Sequence, residues 1–252
     1  MKMHYLALGA ILLAGGAVAE EHLHVQKDGL VEYYGSQAAI AQSGKTEGDL
    51  PIAEMSGDNA TFGVGACNHL DGEITIAESQ PYVTRVRDDK FIMEHSGDGK
   101  AIFGAWTKNK EWNEVAVPAE VESYLDLQRF VRDRATAAGV DTSSTPFPFL
   151  LKGKPAYVKW HINVNRTDGR PMRRKLFARS KEFYELEEEK VTIVGFYSEK
   201  HHGQFIGTYS PAIKDKDVKN AIHIHMVSAD GEAAGHIDDV KFDGGMTLFL
   251  PK

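Results

Sequence analysis

The sequence predicts an α/β (α+β) fold in two parts, an N-terminal part of mixed helices and strands and a C-terminal part made almost wholly of strands. Three observations predict it. Over residues 30–139, apolar residues at helical spacing alternate with short apolar runs of strand type. From residue 156 onward, nearly every apolar stretch is short and bounded by turn residues. Between the two lies a linker-like stretch, 141–155, containing Ser143-Ser144-Thr145-Pro146 and Phe147-Pro148-Phe149. It divides the chain at about residue 150, into 20–150 and 151–252.

Residues 1–19 have the form of a secretory signal peptide. Lys2 precedes an apolar run over 5–16, and Ala17-Val18-Ala19 fits the small-x-small cleavage pattern ahead of Glu20-Glu21. The run is too short to span a bilayer. The expected mature chain is exported, to the periplasm or beyond, and is free of the membrane after cleavage behind Ala19. Next comes a short helix over 34–42. Residues 61–76 hold two apolar runs around a glycine-rich segment, and 81–86 and 100–106 read as strands. The clearest helix begins at Pro118, with Glu120 and Glu122 at its positive end and Gly139 as its stop. Val121, Tyr124, Leu127, Val131 and Ala135 form its buried stripe. Strands follow over 156–164, 174–178, 191–197, 221–228, 235–242 and 246–250, with 185–190 as a solvated turn. Turns such as Thr167-Asp168-Gly169 and Asp243-Gly244-Gly245 separate them, a pattern that suggests a closed or nearly closed sheet.

Composition narrows the function. The 252 residues are 42% hydrophobic and 26% charged, an ordinary globular balance. With 29 Lys and Arg against 36 Asp and Glu, the net charge of −7 argues against a nucleic-acid partner. A single cysteine, Cys67, forbids an intrachain disulfide or a cysteine-based metal cluster, and reads as a small buried hydrophobe. Metal chemistry therefore has to use histidines and carboxylates.

Residues 221–227 alternate strictly, so His223 and His225 share one face of a strand while Ile222, Ile224 and Met226 take the other. His236 follows a turn-rich segment, 229–235, and a hairpin there brings it beside the first pair. Three neutral imidazoles with coordination positions left open make a catalytic type of zinc site. Imidazole also suits other divalent first-row metals, so zinc is a preference. The competing reading is two surface histidines and an unrelated third. His22, His24, His95, His161, His201 and His202 read as structural or frayed. The glycine-rich segment 61–73 lacks the strand–turn–helix setting of a nucleotide loop.

Gly63-Val64-Gly65 through Leu70-Asp71-Gly72-Glu73 resembles the "GIGxxxxLDGE" signature of alpha-acetolactate decarboxylases. Val194-Gly195-Phe196-Tyr197 is similar to that family's "VGFY" strand. His223-Ile224-His225 through Gly235-His236 is similar to its "HxHFxxxDxxxGGHVLD" segment, and Arg179-Ser180 more loosely resembles its "RSVPxQ" strand. The order agrees, and the similarity spans roughly residues 30–251. The resemblance implies a mixed-sheet N-terminal domain followed by a C-terminal β-barrel. It implies conversion of a small keto-acid substrate, 2-acetolactate, to acetoin and CO₂, and homodimers. It also implies a zinc held by His223, His225 and His236, an active-site carboxylate at Glu73, and Arg179 binding the substrate carboxylate. The family's C-terminal tail returns a glutamate to the metal, and this sequence stops at Leu250-Pro251-Lys252, so Glu73 or water is expected in that place. Two other readings stay open: a zinc lyase of the same fold acting on another 2-hydroxy-3-keto acid, and a non-catalytic exported metal-binding protein.

Overall fold

The computed structural model describes residues 24–57 and 60–252. The signal-peptide expectation falls on 1–19, outside the described residues. Two eight-stranded sheets carry the fold. The first contains β1 (Gln26–Asp28), β2 (Val31–Tyr34), β3 (Leu50–Pro51), β4 (Phe62–Cys67), β5 (Glu73–Ala77), β6 (Gln80–Arg87), β7 (Lys90–Glu94) and β8 (Lys100–Thr107). Helices α1 (Gln37–Ser43) and α2 (Ile52–Ser56) interrupt it. The strand order is β1-β2-β8-β4-β5-β6-β7, with β3 also on β8. The second part runs β9 (Trp112–Ala116), α3 (Tyr124–Ala137), β10 (Phe147–Gly153), β11 (Tyr157–Asn163), α4 (Arg174–Arg179), β12 (Lys181–Glu187), β13 (Val191–Tyr197), β14 (Ile222–Ser228), β15 (Ala234–Lys241) and β16 (Met246–Pro251). Its sheet order is β12-β11-β15-β14-β13-β10-β16-β9.

Two expectations about architecture are corrected. The first sheet is not mixed, because every ladder in it is antiparallel. The second sheet is no closed barrel, because β12 and β9 stand at opposite edges and no ladder joins them among the described residues. Both of its faces are covered. One face carries Val158, Trp160, Ile162, Ile224, Met226 and Ile237 against the buried stripe of α3. The other packs Leu150, Val194, Phe196, Val227 and Ala234 against Val31, Phe62, Val64 and Ala105 of the first sheet. The back of the first sheet is sealed by Leu50, Ile52 and Met55 over Ile74, Ile76 and Trp106.

Local elements differ from expectation where tertiary pairing outweighs local signals. The long helix starts at Tyr124 rather than Pro118, because Ser123 takes the cap and its hydroxyl accepts from the Asp126 N–H. The supposed linker contains β10, held by β13 along its whole length and by β16 from Leu150 onward. Pro148 lies ahead of the β16 contact, where only one side of the strand is paired. Residues 174–179 are helical, not extended, with Leu176 and Phe177 packed near Ile40, Met172 and Phe103. β12 reaches Glu187, so only the last residues of 185–190 turn. The sheets part between β8 and β9: 112–116 pairs with β16 of the second sheet, and α3 packs on that sheet. No helix among the described residues is long and apolar enough to cross a membrane.

Candidate metal centre

The polar face of β14 and β15 looks toward the first sheet. Cross-strand pairing sets His225 directly opposite His236, and His236 opposite His161 of β11. Three imidazoles therefore lie in a row across three strands, with His223 two residues along β14 on the same face. Gly235 lets β15 approach closely, since a Cβ there would lie 2.8 Å from both the His161 carbonyl oxygen and the Trp160 ring.

Three ring nitrogens converge. His223 Nε2 lies 3.0 Å from His236 Nδ1 and 3.2 Å from His225 Nε2. Ligands at about 2.0–2.1 Å around a tetrahedral zinc are spaced by about 3.3 Å, so the cluster has nearly the dimensions of a coordination face. Proton placement agrees. His223 Nδ1 donates to the Phe205 carbonyl at 2.7 Å, which leaves Nε2 as a lone pair. His225 Nδ1 lies 3.1 Å from the Thr75 hydroxyl, turning its Nε2 inward. Burial holds His223 down to about 4 and drives His225 and His236 well below the ordinary imidazole range, so all three stay neutral. Neutral imidazoles whose nitrogens face one another at these distances fit a divalent cation.

Glu73 begins β5 and is buried against this cluster. Its Oε2 lies 3.9 Å from His225 Nε2 and its Oε1 3.7 Å from His161 Nε2. Gly72 makes the entry possible: at φ +128°, a Cβ there would sit 2.3 Å from the Thr84 carbonyl oxygen. Burial raises the Glu73 carboxyl well above its ordinary range, with Lys181 opposing and Asp238 adding to the rise. Cys67, at the end of β4, is buried and its thiol is pushed up to about 12 by desolvation, as a packing residue would be.

Arg179 is not brought here. It is the exposed last residue of α4, and its own carbonyl accepts from the Arg166 guanidinium. Among the cations that line the cavity, Lys159, Arg174, Lys181 and Lys214, it is Lys181, two residues on, that pairs with a buried acid, its Nζ 3.8 Å from Asp238 Oδ1. Three site residues escaped sequence reading: Lys181, His161 and Asp238. His161 Nδ1 lies 2.6 Å from Asp238 Oδ2, and both side chains are buried. Burial takes His161 down to about 4. Burial pushes Asp238 up, but its hydrogen bond to His161 and the charges of His161 and Lys181 bring it below the ordinary carboxyl value. A bulge in β15 places Asp238: Lys159 pairs with Asp239 and Trp160 with Ile237, so Asp238 has no partner across the strand. The available signal was alternation. Lys159, His161 and Asn163 share one face of a strand whose other face is Val158, Trp160 and Ile162.

These side chains line one wall of a 660 Å³ cavity between the sheets, which Gln37 and Ala41 of α1, Phe177 of α4 and the Thr208–Pro211 loop complete. Residues 33–249 match the sequence profile of the family described as alpha-acetolactate decarboxylase. The alpha-acetolactate decarboxylase of Lactococcus lactis subsp. lactis is 22% identical over 213 residues, covering 81% of this chain and 76% of that protein. The one from Brevibacillus brevis is 24% identical over 210 residues, covering 82% and 65%. A crystal structure of alpha-acetolactate decarboxylase from Bacillus subtilis superposes with a TM-score of 0.62 at 16% identity, covering 87% of this chain and 84% of that one. A Staphylococcus aureus protein of unknown function, described as similar to alpha-acetolactate decarboxylase, gives 0.64 at 17% with the same coverage.

Proposed function

The chain belongs to the alpha-acetolactate decarboxylase family, and from that premise we propose how it converts 2-acetolactate to acetoin and CO₂ with a divalent metal, zinc by preference. The observation that carries the reading is the convergence of His223 Nε2, His225 Nε2 and His236 Nδ1, with Glu73 buried against them. These three histidines would hold the ion, which supplies an electrophile for the substrate's ketone oxygen while negative charge develops. Lys181 rather than Arg179 takes the substrate carboxylate, as a point charge inside the cavity instead of a guanidinium fork outside it. That grip orients the acid and relaxes as it leaves as neutral CO₂. The bond from C2 to the carboxyl carbon breaks, and its electron pair stays on C2. Glu73, which burial keeps protonated to unusually high pH, donates its proton to C2 and completes acetoin.

The test uses the zinc-loaded protein and racemic acetolactate, with acetoin followed by colour. Turnover is expected, abolished by chelator and restored by metal. Glu73→Gln is expected to lower kcat by about 10²–10⁴ with the metal retained. Unchanged turnover in that variant, or one full equivalent of metal kept by His225→Ala, overturns these assignments. Export after cleavage behind Ala19 and pairing into homodimers belong to the same proposal, checked by the mass of the mature chain and by light scattering.

A further inference from the structure

We propose that His161, locked in one tautomer by Asp238, is a substrate-contacting residue whose Nε2 accepts a hydrogen bond from the hydroxyl of the 2-hydroxy-3-keto acid. The proposal rests on the decarboxylase reading above and adds to it the group that recognises the hydroxyl.

Position comes first. His161 lies beside His236 across the sheet, with ring centroids 4.7 Å apart, as close as the members of the triad are to one another, at 4.9–5.4 Å. Yet its nitrogens group with His236 and Asp238 and not with the converging nitrogens of His223 and His225. It therefore flanks the metal centre and does not complete it. Its side chain is buried from bulk solvent but forms part of the cavity wall.

Chemistry comes second. Asp238 Oδ2 lies 2.6 Å from His161 Nδ1, and a carboxylate oxygen accepts, so this contact places the proton on His161 Nδ1. Nε2 is left with a lone pair and no donor within hydrogen-bond reach; the nearest carboxyl oxygen, Glu73 Oε1, is 3.7 Å away. An acceptor on the cavity wall with no protein donor in reach is matched by a ligand that supplies one. The substrate class carries one such donor as the carboxylate, its hydroxyl. Lys181 offers only donors, Asp238 is committed to His161, and Glu73 is committed to proton delivery. Two acceptors on this wall have no donor among the described residues, His161 Nε2 and Asn163 Oδ1, and of the two it is His161 that stands directly across from His236 of the triad.

Two ligands that differ only in the hydroxyl test this, 2-hydroxy-2-methylbutanoate and 2-methylbutanoate, titrated calorimetrically into the zinc-loaded protein. The wild type is expected to prefer the hydroxy acid. In His161→Phe, which keeps the ring and loses the acceptor, the preference is expected to shrink about tenfold, the worth of one such hydrogen bond. Asp238→Asn releases the tautomer and is expected to shrink it as well, so either variant suffices if the other does not fold. Zinc content should stay at one per chain in both. An unchanged ratio of affinities overturns the proposal. So does loss of zinc from His161→Phe, which would make His161 a ligand, or a wild type with no preference. Acetoin formation by the wild type is scored separately, so failure of the hydroxyl contact and failure of the decarboxylase reading are told apart.

Discussion

At the scale of single residues, the site separates charges that sequence alone would confuse. Arg179 and Lys181 are two positions apart, but one is an exposed helix terminus and the other reaches the cavity. Lys181→Met is therefore expected to raise KM for acetolactate tenfold or more with a smaller change in kcat, while Arg179→Ala stays within about twofold of the wild type on both. Steady-state kinetics on the two variants decides it. The triad was legible because alternation along one strand and a short hairpin are local facts of sequence. Glu73 was legible only through the motif around it. His161 was not, because its place beside His236 depends on β11 pairing with a strand that comes more than seventy residues later. Asp238 does share a two-residue spacing with His236, but the bulge that turns it toward His161 leaves no mark in composition.

At the scale of elements, local signals succeeded where one element satisfies itself and failed where a partner decides. The α3 stripe and the alternating β14 were readable from spacing. β10 was hidden by Ser, Thr and Pro, and becomes a strand because β13 and β16 flank it. In α4, Leu176 and Phe177 find their packing partners in a helix rather than a strand. The α3 cap gives a direct check: Ser123→Ala leaves the Asp126 N–H unmet and should cost about 1 kcal/mol. In a chain of this size that is a fall of about 2–4 °C in Tm, measured by calorimetry on the metal-loaded protein.

At the scale of the whole molecule, two stacked sheets keep water from four imidazoles, which makes the metal-free protein sensitive to acid. His161 and His223 sit at about 4 when folded, against about 6.5 when unfolded. Above pH 6.5 both states are neutral and nothing is lost. Below it the unfolded chain takes up protons that the native chain refuses, so stability falls as pH drops from 6.5 toward 4. His225 and His236 act in the same direction. Glu73 opposes them, because its raised value favours the native state toward lower pH, but it is one group against four. The Tm of chelator-treated protein is therefore expected to decline between pH 6.5 and 4, and zinc should raise it at neutral pH. A flat profile would show that the imidazoles are not shielded as the stacked sheets require.

The placement of β9 bears on how the polypeptide is born. That strand hydrogen-bonds to β16, which comes more than a hundred residues later in the chain, and β16 also completes the pairing of β10. Until Met246–Pro251 has left the ribosome, Trp112–Ala116 is without that partner and the second sheet lacks the seam that joins them. A chain stalled shortly before that point would carry two sticky ribbons in search of a neighbour, so fragments ending near residue 245 should cling to chaperones or clump.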